Sequence, residues 1–247
     1  MLGSILRFEL GYQLRGAAFV AIFAIYFLLV FGAVTVDQVQ IGSSEATHIN
    51  SPFAAAQTIA IMCVIGIFMP VVFMATGVTR DQALRTDEVF RATPVGRRTM
   101  LLGRYLGGLT ATALCFLSVP LAFLAGSVMP WLDQEQLGPF NPGQVFYLYG
   151  VFGVLNMLIL GTILFTVANM TRSMIATWVA LVAIFIGWVV GTSLTSELDT
   201  RELAALLEPY GLGAFGEQSR YWTAVERNTQ LPALTGVLLQ NRLIWGA

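Results

Sequence analysis

Residues able to make or break bonds are few in this sequence, and they are scattered. His48, the single histidine, lies in a polar stretch. Cys63 and Cys115 each fall inside an apolar run, without the CxxC spacing of a metal knuckle or redox pair, and read as core residues. There is no lysine. A G-x-x-x-x-G-K-[ST] phosphate loop needs that lysine to reach the β- and γ-phosphates, so the chain does not hydrolyse ATP itself. Paired-histidine zinc sites and a Ser-His-Asp triad lack their material. The expectation is therefore no catalytic residue, no metal ligand and no cofactor held by this chain.

What remains is charge chemistry, concentrated in one polar stretch from Thr79 to Arg104 that holds six of the thirteen basic residues. Asp81 with Arg85, and Asp87 with Arg91, stand at the i,i+4 spacing of helical ion pairs. Thr86 is placed to cap a short helix, with Asp87 and Glu88 in its positively polarised first turn. Pro94 biases Thr93 away from helix and ends it. Phe90 is the apolar residue available as an anchor. The stretch reads as a compact docking element.

The elements that must position it are membrane helices. Hydrophobic residues make up 56% of the chain, charged residues only 11%, and mean hydropathy is +0.74. A soluble domain carries roughly 25% charged residues. The net charge of -1 conceals segregation: all bases are arginine, and the acids cluster apart from them, so no nucleic-acid partner is expected. The N-terminus lacks a small-residue cleavage site after a short apolar core, so the first apolar run is expected to stay as an anchor.

In order, residues 2–15 form a helix with Ser4, Arg7, Gly11 and Arg15 on one side and Leu2, Ile5, Leu6 and Tyr12 opposite, interrupted by Glu9. Such a helix either lies on the membrane surface, the preferred reading, or extends the first membrane helix. Uncharged runs follow at Gly16 to Val36, Pro52 to Val78 (with Pro70 late in it), Tyr105 to Met129, Val145 to Met170 and Met174 to Thr195. Each can cross a hydrocarbon core of roughly 30 Å. Residues 196–241 turn polar and read as two amphipathic helices around the glycine-rich stretch 210–216. Residues 242–247 look like the opening of a sixth helix, so the chain is expected to be incomplete. The expected fold is an all-α polytopic membrane bundle of about five complete transmembrane helices, preceded by an interfacial helix. It divides into a permease-like bundle at 1–195, with a cytoplasmic loop at 78–104, and an extracytoplasmic helical subdomain at 196–241.

Charge sets the orientation. With a cytoplasmic N-terminus, the inner segments hold Arg7, Arg15, the six arginines from Arg80 to Arg104, and Arg172, whereas the two short outer loops hold only acids. Polarity inside the apolar runs is mild. Asn156 reads first as an interhelical hydrogen bond worth roughly 1 kcal/mol or less, and second, with Gln57, as the lining of a path. Gly103 and Gly107 form a G-x-x-x-G, a weak signal for close helix packing.

The run from Arg85 to Arg98, followed by Leu101-Leu102-Gly103-Arg104, resembles the first cytoplasmic loop of ATP-binding-cassette (ABC) transporter permeases of the type-2 exporter class. In that family an acidic helical segment ending in Thr-Pro, then a basic pair and a Leu-Gly-Arg, forms the coupling helix. Arg7 to Arg15 resembles the family's connecting helix, with Arg7, Glu9 and Arg15 its charged residues and Glu9 expected to pair with an arginine of the loop. The Pro209 to Leu212, Arg220 to Trp222 and Glu226 to Asn228 pieces resemble a bacterial branch fused to a zinc aminopeptidase-like domain, although no HExxH is present. The resemblance implies that Thr86, Asp87, Glu88, Phe90, Arg91 and Pro94 dock on a separate nucleotide-binding ATPase subunit, which carries the ATP and Mg. It implies that a second permease chain completes the path, in the bacterial cytoplasmic (inner) membrane and in contact with membrane lipid. The alternative is a non-transporting membrane anchor presenting an outer or fused domain. A secondary transporter fits less well, since no carboxylate lies at membrane depth.

Overall fold

The computed structural model describes residues 1–44, 46–83, 96–194 and 201–246, and these are helical with no strand. α1 (Leu2–Leu14) and α2 (Ala17–Thr35) are separate helices, parted at Arg15 and Gly16, where Gly16 takes an extended conformation. α1 is thus not a continuation of the first apolar helix.

The second apolar run divides. α3 (Pro52–Ile65) is capped by the Ser51 hydroxyl, which accepts from the Ala54 N–H. α4 starts at Phe68, passes through a π-helical turn at Val71–Ala75 and continues as Thr76–Ala83. The two axes bend by 48°. The break falls at Gly66, ahead of Pro70, and this position explains how the proline is tolerated. Pro70 lands in the first turn of the new helix, where a backbone N–H has no intrahelical partner to lose. A Cβ on Gly66 would come within 3.3 Å of the buried Tyr26 hydroxyl, so the glycine also lets α2 approach.

α5 (Arg97–Ser127), α6 (Pro142–Thr171, with a π-helical turn at Tyr149–Val154) and α7 (Met174–Leu194) complete the long helices. α2, α5, α6 and α7 are each long and apolar enough to cross a membrane, and the bent α3–α4 pair makes a fifth if counted as one span. α5 and α6 are central, with 56% and 61% of their apolar windows buried inside the molecule. α2 and α7 are peripheral, at 22% and 11%. α6 and α7 are joined by a tight turn in which Arg172 takes the left-handed conformation that ends α6.

Past α7 the sequence reading needs correction. In place of two helices flanking a glycine-rich linker there are, among the described residues, four short ones: α8 (Arg201–Leu207), α9 (Leu212–Gln218), α10 (Ala224–Thr229) and α11 (Gly236–Gly246). The glycine-rich stretch itself forms α9. Gly211 enters it at φ +74, and the Glu208 carboxylate accepts the N–H groups of Tyr210 and Gly213 at 3.1 and 3.0 Å, holding the turn into the helix. Tyr210, Ala214, Phe215 and Leu238 belong to the same core as Tyr26, Phe116 and Phe152, so this region is packed into the bundle.

The loops sort to two ends. At one, the α2–α3 loop meets the α5–α6 loop and the α10 region: Ile49 N–H donates to Gln136 O, Asn50 pairs both ways with Gly138, and Asn228 bonds the backbone of Ala46 and His48. The opposite end carries α1, the termini of α4 and α5 that flank residues 84–95, and the Arg172 turn.

Candidate functional site

The coupling residues expected from sequence, Thr86, Asp87, Glu88, Phe90, Arg91 and Pro94, lie outside the described residues, as do the partners needed by the Asp81–Arg85 and Asp87–Arg91 pairs. What the structure does describe is the base on which that loop stands.

α1 lies along the start of α5, and Ile5, Glu9 and Gln13, four residues apart, form its inward stripe. Two glycines of α5 make room for it. A Cβ on Gly103 would sit 2.6 Å from Ile5 Cγ2, and one on Gly107 would sit 2.8 Å from Glu9 Cβ. The G-x-x-x-G is the seat of α1. From the other side α4 contributes Gly77, where a Cβ would come 3.2 Å from Glu9 Oε1. Glu9 is therefore wedged between two helices at positions where each carries glycine, and it is only 2% exposed.

A carboxylate so buried needs partners. Glu9 Oε2 accepts from Arg80 Nη2 at 2.8 Å, and Oε1 accepts from Gln13 Nε2 at 3.2 Å. Gln13 Nε2 also donates to Phe73 O, inside the π-helical turn, at 3.0 Å. The Arg80 guanidinium lies 4.3 Å from the Tyr12 ring centroid. Arg104, nearly buried, donates from Nη1 to Gly77 O at 2.7 Å and ties α5 directly to α4. The two helix ends flanking the loop are thus joined to each other and to α1 by charge-assisted bonds. Glu9 pairs with an arginine of the loop stretch, as the family resemblance implied. Gln13 was missed, and the i,i+4 step from Glu9 was the signal for it.

Arg7 and Arg15 are exposed and, with Arg80 and Arg172, line a groove of about 1230 Å³ between α1, α4 and the starts of α2 and α7. Gln57 and Asn156 do not line it. Gln57 packs under the Gly42 turn. Asn156 is fully buried in a polar knot: its Nδ2 donates to Tyr210 O at 2.9 Å, and its Oδ1 accepts from Arg242 Nη1. Arg242 Nε also donates to Asn241 Oδ1 at 2.9 Å, and Asn241 Nδ2 caps the end of α8 by donating to Ala205 O and Glu208 O, 2.8 Å each. Burial pushes the Glu208 carboxyl above the usual carboxylate range, against the opposing pull of the Gly213 and Tyr210 N–H groups and the Arg242 charge. Sequence reasoning expected a hydrogen bond at Asn156 between helices but not its partners, Tyr210 O and Arg242. The signal was the polar pair Asn241-Arg242 interrupting an apolar run.

His48 is half-buried against Gly138, and among the described residues no three His, Cys, Asp or Glu side chains gather as a metal site. No protein-family model matches the chain, and no curated protein matches it.

Proposed function

We propose that this chain is the membrane-spanning permease subunit of an ABC exporter, passing the work of ATP hydrolysis by a partner ATPase to substrate translocation. In this reading α1 is interfacial and the N-terminus is cytoplasmic. Five crossings are made, a second permease chain completes the path, and the membrane is the bacterial inner membrane. The observation that carries the reading is the braced base of the arginine-rich loop. Glu9 is wedged between Gly77 and Gly107 and paired with Arg80, while Arg104 is bonded to Gly77 O. A docking element on such a base can pass a rigid-body motion of its partner into the bilayer, whereas one on a loose base would absorb it. Phe90 anchors it in the ATPase groove, Asp87, Glu88 and Arg91 set register, and Thr86 and Pro94 bound it.

The test is to purify the chain in mild detergent and identify copurifying proteins by mass spectrometry, with residues 80–98 either native or replaced by a flexible linker. An ATPase carrying a phosphate-binding loop, recovered only with the native loop, supports the permease; Phe90→Ala and Glu88→Arg should then reduce its recovery. The same recovery with the linker, or no ATPase in either case, would return the chain to the membrane-anchor reading.

A further inference from the structure

We propose that the groove between α1, α4 and the starts of α2 and α7 is a site for an anionic phospholipid, with its phosphate among the arginines and its acyl chains along the apolar floor. Four guanidinium groups line it, those of Arg7, Arg15, Arg80 and Arg172. Arg80 is compensated by Glu9 at 2.8 Å. Arg7, Arg15 and Arg172 have no ion pair among the described residues, and all three are exposed. Three positive charges without an ion pair among the described residues line one concavity and make it a candidate anion site, and arginine forks suit phosphate oxygens.

The floor identifies the kind of anion. Val72 and Phe73 of α4, Ala17 and Ala18 of α2 and Met174 of α7 are apolar. α2 and α7 are also the least buried of the long helices, and their exposed apolar faces continue from the groove through Val20 on one and Ile175 on the other. A small soluble anion would have no use for this surface. A phospholipid fills both parts, in the manner of basic pockets between membrane helices that hold anionic headgroups. At about 1230 Å³ the groove exceeds the roughly 300–1,000 Å³ of an ordinary small-molecule pocket. The site stands on the charges, the floor and the spanning helices, and it does not depend on the transport reading.

The experiment uses the full chain purified in mild detergent. Retention of phosphatidylglycerol, phosphatidylcholine or inorganic phosphate is measured by native mass spectrometry, alongside the shift each gives in the thermal midpoint. Phosphatidylglycerol is expected to be retained preferentially. Arg7→Gln, Arg15→Gln and Arg172→Gln should each lower its retention by about fivefold while leaving the ligand-free midpoint unchanged, since none of the three holds the fold together. Ala18→Trp, which fills the floor and keeps every charge, should also expel the lipid. Equal retention of the two lipids, or undiminished phosphatidylglycerol in the triple arginine variant, would overturn the proposal. So would full displacement of the lipid by inorganic phosphate with Ala18→Trp silent, which would make the groove a site for a free anion.

Discussion

Removing the two partners of the Glu9–Arg80 bridge should not cost the same. Arg80→Met leaves the Glu9 carboxylate in place, 2% exposed between Gly77 and Gly107, with only the Gln13 amide still donating to it. Breaking a buried pair from one side costs about 3–5 kcal/mol, and the Arg80 side chain, 18% exposed, argues for the lower end, about 3 kcal/mol. Glu9→Gln leaves a guanidinium that still reaches water and still lies over Tyr12, and it keeps a carbonyl acceptor in the wedge. Its cost should be near 1 kcal/mol. Combining the two removes the stranded carboxylate, so the double variant should be more stable than Arg80→Met alone, with a coupling of about 2 kcal/mol. Thermal unfolding in mild detergent, followed by circular dichroism, reads this at about 2–4 °C per kcal/mol for a chain of this size. Equal losses in the two single variants, with an additive double, would refute the wedge.

Three further outcomes test the rest of the packing. A Cβ on Gly108 would lie 2.7 Å from Phe73 O and 2.9 Å from Met74 Cα, so Gly108→Ala must part α4 from α5 and cost about 1–3 kcal/mol, while Gly11→Ala, with nothing within 4 Å, should be neutral or gain up to about 1 kcal/mol; equal melting would dismiss the close approach. Because the folded-state pKa of Glu208 is raised by burial, its contribution to stability is fully present below the unfolded value and is lost as pH rises through the folded one; melts of wild type and Glu208→Gln across that window should show the decline in wild type only. Asn156→Leu removes the acceptor of Arg242 Nη1 and the donor to Tyr210 O, both buried, and should cost about 2–3 kcal/mol, exposing α11 to protease; a variant that melts normally yet fails to transport would put Asn156 on the path.

Composition and run length were enough to read the long helices, because burying backbone in lipid demands uninterrupted apolar helix and the segments carry little else. The expected Gly16 to Val36 run is realised as Ala17–Thr35, and Val145 to Met170 as part of Pro142–Thr171. The break at Gly66 was not legible, because it depends on Tyr26 approaching from another helix. Glu9 looked like a flaw in an apolar face. It is the reverse: the face it interrupts meets Arg80, a pairing the family resemblance implied, and two glycines, Gly77 and Gly107, to which nothing within α1 pointed. The role of Arg242 was not legible for the same reason: its partners, Asn156 and Pro209 O, come from elements that only the fold brings to it.

The two ends of the bundle are held by different physics, and this bears on how motion would cross it. At the end with α1, the ties are short, charged and set against glycines, so α1, the Thr76–Ala83 end of α4 and the first turns of α5 form one stiff body. At the other end the loops are joined mainly by neutral backbone and amide hydrogen bonds, at Ile49 to Gln136, Asn50 to Gly138 and Asn228 to Ala46. Between them, α4 contains a π-helical turn and a 48° break from α3. A force applied at the charged end would therefore move it as a unit and meet first the π-helical turn of α4 and then the Gly66 bend, beside Tyr26.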